Sequence, residues 1–167
     1  MAMQEMVIYG VSFDVVGKQP IVLLKTTDGN RFLPIWIGRA EAEAILMKLQ
    51  GAVTPRPMTH DLFTSVLGEF DAKVEKISVT DLKENTFYAV ITLAKGGGGE
   101  IEIDSRPSDA IALAVRVDAP IFVAESVIDE ASIEFEGEDV DEDEIVDQFK
   151  QFLDRVTPDE FANGEET

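Results

Sequence analysis

Residues 100–114, Glu100-Ile-Glu-Ile-Asp-Ser-Arg-Pro-Ser-Asp-Ala-Ile-Ala-Leu-Ala114, pass from one periodicity to another within a short span. Ile101 and Ile103 alternate with carboxylates, which is the period of a strand, and the run after Ser108 is rich in Ala and Leu, which favour helix. A strand over 100–104 and a helix over 108–117 are predicted. A shift of 66 residues lays Ile35 on Ile101, Ile37 on Ile103, and Glu43-Ala44-Ile45 on Asp109-Ala110-Ile111, a weak internal repeat. The junction of strand and helix is therefore expected twice.

The order of elements around these junctions agrees. Strands are predicted over 6–16, 20–26 and 31–37, with Gly17-Lys18-Gln19-Pro20 and Asp28-Gly29-Asn30 as turns. Helices follow over 39–50 and from Thr59, read as the N-cap, to Phe70. Leu62, Phe63, Val66, Leu67 and Phe70 form the apolar stripe of the second helix. Strands over 72–82, 86–95 and 100–104 repeat the pattern, and Gly96 to Gly99 reads as a hairpin loop. A short strand over 120–124 and a helical turn over 126–130 follow the third helix. This is an α+β domain, placed at residues 1–133, and a chain of 167 residues can bury one core without disulfides.

Charge separates the remainder. The net charge is −19, but residues 1–124 carry 12 basic and 16 acidic side chains while residues 125–167 carry 2 and 17. From Glu134 to Glu144, 8 of 11 residues are acidic, a run that repels itself and stays solvated. Ile145, Phe149, Phe152, Leu153 and Val156 then mark an amphipathic helix within the acidic segment 134–167. No basic, then apolar, leader stands at the N-terminus, and the longest uncharged run, 85–94, is too short for a membrane span of roughly 20 residues. Cysteine is absent, which fits a reducing compartment. A cytoplasmic protein without a membrane anchor is expected.

Chemistry concentrates at the helix starts. Arg106 beside the N-terminus of the third helix suits phosphate, Ser108 can cap that helix, and Asp109 complements its dipole. Asp104 and Asp109 are carboxylates suited to a hard cation. His60 is the one histidine of the chain, near a helix start, where an imidazole can exchange protons near neutral pH. Arg39 and Glu43 hold the corresponding place in the first half, either as site residues or as a surface i, i+4 pair worth about 0.3–0.5 kcal/mol. Lys95 precedes rather than follows the glycine run, so no P-loop is present, and Asp139, Asp141 and Asp143 lack the glycine and glutamate of a calcium loop.

Arg106-Pro-Ser-Asp-Ala-Ile-Ala-Leu-Ala-Val-Arg116 with Ala119-Pro-Ile-Phe-Val123 resembles the signature of the bifunctional nuclease domain family. Leu33-Pro-Ile-Trp-Ile-Gly38 with Glu41-Ala-Glu-Ala-Ile45 resembles its first-half counterpart, and Arg56-Pro-Met-Thr-His-Asp-Leu62 its histidine segment. The resemblance covers about residues 6–133. It implies a duplicated unit of three strands and two helices, a mixed sheet curled into a barrel-like form and flanked by helices, a homo-oligomer, and cleavage of DNA and RNA, which plant members are described as performing. By their own chemistry, and not from the resemblance, His60, Asp104 and Asp109 are the candidate catalytic residues, and Arg39, Arg106 and Ser108 the phosphate-binding ones. Glu43, Asp104 and Asp109 are the candidate ligands of Mg²⁺ or Mn²⁺. The rival reading is a non-catalytic anion-binding or regulatory module whose acidic tail mediates protein interaction or oligomerisation.

Overall fold

A computed structural model describes residues 2–13 and 19–134 of the protein. In chain order these form β1 (Met3–Ser12), β2 (Ile21–Thr26), β3 (Arg31–Trp36), α1 (Arg39–Leu49), α2 (Thr59–Glu69), β4 (Ala72–Lys83), β5 (Thr86–Lys95), β6 (Glu100–Ser105), α3 (Pro107–Val117), β7 (Ile121–Ala124), α4 (Glu125–Ala131) and β8 (Ile133–Glu134). The strands make one mixed sheet in the order β6-β5-β4-β7-β1-β2-β3-β8. Two antiparallel meanders, β1-β2-β3 and β4-β5-β6, are joined by β7, which pairs antiparallel with β1 and parallel with β4.

The α3 helix explains why its sequence is so rich in alanine. It packs against α1 and α2 on one side and against β4 and β5 on the other, and every residue from Ala110 to Ala114 is buried. A helix covered all round needs apolar residues all round, and small ones let its neighbours approach. Ile111 and Leu113 fill the space between, each contributing about 2 kcal/mol by burial. The β5–β6 hairpin turns through Gly96 to Gly99 as expected, with Gly98 and Gly99 at φ near +95° and +93°, where residues with a Cβ are strained.

Three expectations are corrected. The sheet is open, with β6 and β8 as its two edges, so it is not a barrel. The repeated unit is not a faithful copy: α2 follows α1 directly, whereas β7 separates α3 from α4. Ile35 and Ile37 are buried, but Ile101 and Ile103 are 40% and 37% exposed, because β6 is an edge strand. Finally, the apolar stripe of α2 is mostly outward: Leu62, Phe63, Val66 and Phe70 are exposed, and Leu67 is the member that packs against the core. The acidic segment and the helix expected after it lie outside the described residues, and the expected boundary after residue 133 falls inside β8.

Candidate functional site

The first three helices each carry a carboxylate two residues after their first residue, where it complements the helix dipole. These are Glu41 on α1, Asp61 on α2 and Asp109 on α3. All three are drawn into ion pairs by two arginines of the α3 segment. Arg106, the N-cap of α3, donates from Nε and Nη2 to Asp109 Oδ2 at 3.0 and 2.8 Å and from Nη2 to Glu41 Oε1 at 2.7 Å. Arg116, in the last turn of α3, donates from Nε to Asp61 Oδ1 at 2.7 Å, and from its two terminal nitrogens to the carbonyls of Ala112 at 2.8 Å and Ala44 at 3.3 Å. The Asp61 carboxylate also accepts the backbone N–H of Met58 at 3.0 Å, which fixes the start of α2.

With α2 so placed, His60 Nε2 lies 2.9 Å from Asp109 Oδ1. Asp109 thus bridges the imidazole and the Arg106 guanidinium with one oxygen each. Burial works to raise the Asp109 carboxyl, but the hydrogen bonds from His60 and Arg106 and the adjoining positive charge outweigh it and hold it below the ordinary carboxylate value. The Met58 N–H, then Arg116, hold Asp61 low against the same cost. Hydrogen bonding to Asp109 and Glu41 raises Arg106 above its already high value.

His60, Asp109, Arg106, Glu41 and Asp104 line a cleft of about 710 Å³, and Phe63, Ile91, Ile103, Leu113, Ala44 and Met58 are the apolar part of its lining. The cleft therefore combines an oriented imidazole, a partly exposed guanidinium and an apolar wall, the mixture common to small-molecule and nucleotide sites. Gly38 belongs to the same construction. A Cβ there would collide with the Glu41 carboxylate, so glycine lets that side chain fold back toward Arg106.

Of the residues singled out in the sequence, His60, Asp104, Asp109 and Arg106 meet in this cleft. Ser108 is buried in the first turn of α3 and caps nothing, since Arg106 is the N-cap. Arg39 and Glu43 face outward as an i, i+4 pair with 3.8 Å between Nε and Oε1, both more than half exposed, which is the surface pairing. Glu43 accordingly lies outside the lining, and Glu41 takes the place assigned to it. The error comes from the shift: α1 begins at Arg39 and α3 at Pro107, an offset of 68 rather than 66. Counting from helix starts pairs Glu41 with Asp109. Among the described residues no group of three or more His, Asp or Glu side chains is placed to hold a metal ion. Both Asp109 oxygens are engaged, so the set Glu43, Asp104 and Asp109 does not fit a divalent cation.

The two lowered carboxyls set a pH dependence. Because folding depresses them, their stabilisation is complete above the unfolded-state value of about 4 and is lost as pH falls through the folded values. The melting temperature is expected to be level between about pH 7 and pH 5 and to fall below about pH 4. Asp109→Asn should flatten part of that fall in a thermal melt series. An acid limb identical in the variant would show that other groups carry it.

A profile of the bifunctional nuclease domain matches residues 22–136, more than half of the chain. The chain belongs to the bifunctional nuclease domain family. An uncharacterised protein of Mycobacterium tuberculosis is 39% identical over 166 residues, 95% of this chain and 98% of its own length. Bifunctional nuclease 1 of Oryza sativa subsp. indica is 30% identical over 105 residues, and bifunctional nuclease 1 of Arabidopsis thaliana 28% identical over 107 residues. The chain spans about a third of the length of these plant proteins. The matched region of the bifunctional nuclease domain contains the whole His60 cleft. No helix among the described residues is long and apolar enough to cross a membrane.

Proposed function

We propose that this chain is a nuclease that hydrolyses phosphodiester bonds of DNA and RNA with little sequence preference, using His60, oriented by Asp109, as its proton-transfer group. The observation that carries the reading is the 2.9 Å hydrogen bond between His60 Nε2 and Asp109 Oδ1 within a cleft. An ionised Asp109 accepts Nε2–H, which leaves Nδ1 unprotonated and able to take a proton from water attacking phosphorus. The ester oxygen then leaves with a proton from solvent. Arg106 has Nη1 free of hydrogen bonds among the described residues and available to a phosphate oxygen. Phe63, Ile91 and Ile103 offer a surface on which a base can lie, and stacking of this kind tolerates every base.

A divalent cation enters this proposal through Asp104, the exposed carboxylate of the cleft. Mg²⁺ or Mn²⁺ is commonly held by one or two carboxylates with water and substrate phosphate oxygens, and it would offset phosphate charge there. The proposal includes a cytoplasmic location and a homo-oligomer, and the outward apolar side chains of α2 and β6 favour the second of these. The rival, an anion-binding or regulatory module with an interacting acidic tail, leaves the imidazole oriented by Asp109 without a role. Purified protein with Mg²⁺ or Mn²⁺ is expected to cleave single-stranded DNA and RNA oligonucleotides and to lose that activity in EDTA. Cleavage indifferent to EDTA would remove the cation from the proposal, and absence of cleavage with either ion would hand the case to the rival.

A further inference from the structure

A second groove, of about 380 Å³, runs between the end of α1 and the segment 52–58 that leads into α2. Met58 forms part of its wall and part of the wall of the His60 cleft, so the two are neighbours. Lys48 and Arg56 line this groove, and neither forms an ion pair among the described residues. Arg56 is distinctive in this respect. Arg31, Arg39, Arg106 and Arg116 each have a carboxylate partner, which leaves Arg56 as the one described arginine without one. Its backbone is also restrained, for Pro55 and Pro57 flank it and Thr54 donates its hydroxyl to the Arg56 carbonyl at 2.7 Å. The nearby carboxylate, Asp61, is engaged by Arg116 and by the Met58 N–H.

We infer that this groove holds a phosphate of the substrate strand beside the one cut at His60, gripped by Arg56 and Lys48. The inference rests on the nuclease reading and narrows it: the substrate is a nucleic-acid strand carrying neighbouring phosphates, rather than an isolated phosphodiester. Arg56 on its restrained loop and Lys48 in the last turn of α1, neither within ion-pair distance of a carboxylate among the described residues, are placed to displace counterions from a strand, which the compensated Arg106 is not. A single strand reaching from the groove past Met58 would bring its next phosphodiester to the imidazole.

The test compares wild-type protein, the Lys48→Ala/Arg56→Ala double variant and His60→Ala. The readouts are oligonucleotide binding by fluorescence anisotropy over a range of salt, and cleavage of the same oligonucleotide and of bis(4-nitrophenyl) phosphate. Circular dichroism checks that each variant is folded. The double variant is expected to bind the oligonucleotide about tenfold more weakly, with the slope of log affinity against log salt reduced by about 0.7 to 1.4. Its loss of kcat/KM should be about tenfold larger on the oligonucleotide than on the small diester. Equal losses on the two substrates, an unchanged salt slope, or wild-type protein that does not bind at low salt would each overturn the groove assignment. If wild-type protein binds and the double variant does not, yet nothing is cleaved, the nuclease reading fails while the groove stands as a strand-binding site. His60→Ala should bind like wild type and cleave both substrates at least about a hundredfold more slowly.

Discussion

His60→Ala is expected to slow oligonucleotide cleavage about 10²- to 10⁴-fold, the range that a positioned acid or base contributes. The argument is geometric. The imidazole stands at the first turn of α2, one nitrogen is fixed by Asp109 at 2.9 Å, and the ring lines the cleft that holds Arg106 and Asp104. Asp109→Asn retains the size of the side chain but removes the charge that selects the Nε2–H tautomer, so it should also lose activity, by less than His60→Ala. The decisive comparison is kcat at saturating substrate, since a residue that only binds would raise KM instead. A His60→Ala protein within threefold of the wild-type kcat would remove the imidazole from the reaction.

The second large effect concerns stability. Arg116→Ala is expected to cost about 3 kcal/mol, because it breaks the pair with Asp61 and removes the guanidinium hydrogen bonds to the Ala44 and Ala112 carbonyls from a buried position. The arginine side chain is only 6% exposed, so water replaces those bonds poorly. Asp61 is more exposed, at 38%, which keeps the figure at the lower end for a broken buried pair. In a thermal melt the change corresponds to a fall of about 10 °C for a domain of this size. Arg116→Lys should recover little, since one ammonium cannot reach three acceptors in a fork. A loss below about 1 kcal/mol by chemical denaturation would mean that these hydrogen bonds are replaced by solvent.

Element identity was legible because the periods were clear. The strands over 72–82 and 86–95 and the helices starting near 39, 59 and 107 appear within one or two residues of their expected limits. The sheet order was not legible, because β7 is a four-residue strand whose parallel pairing with β4 depends on where α3 returns the chain. At the site, His60, Asp104, Arg106 and Asp109 stood out by residue type and position. Glu41 did not, because the repeat was aligned through Ile35 and Ile37, whose counterparts on the edge strand have a different environment. The pairing of Asp61 with Arg116 joins residues 55 positions apart and leaves no local pattern in the chain.

The α2 helix has no buried residue, and its docking relies on the Asp61–Arg116 ion pair and the His60–Asp109 hydrogen bond at its first turn together with Leu67. A helix held in this way opens at lower free energy than the strands beneath it, and its amides exchange through that opening rather than through global unfolding. His60 travels with the helix, so the assembled pair of imidazole and carboxylate exists only in the fraction of molecules in which α2 is docked. Warming depletes that fraction before it melts the sheet. Two temperature limits are therefore expected, a lower one at which the working site and the α2 amide protection are lost and a higher one at which the sheet melts.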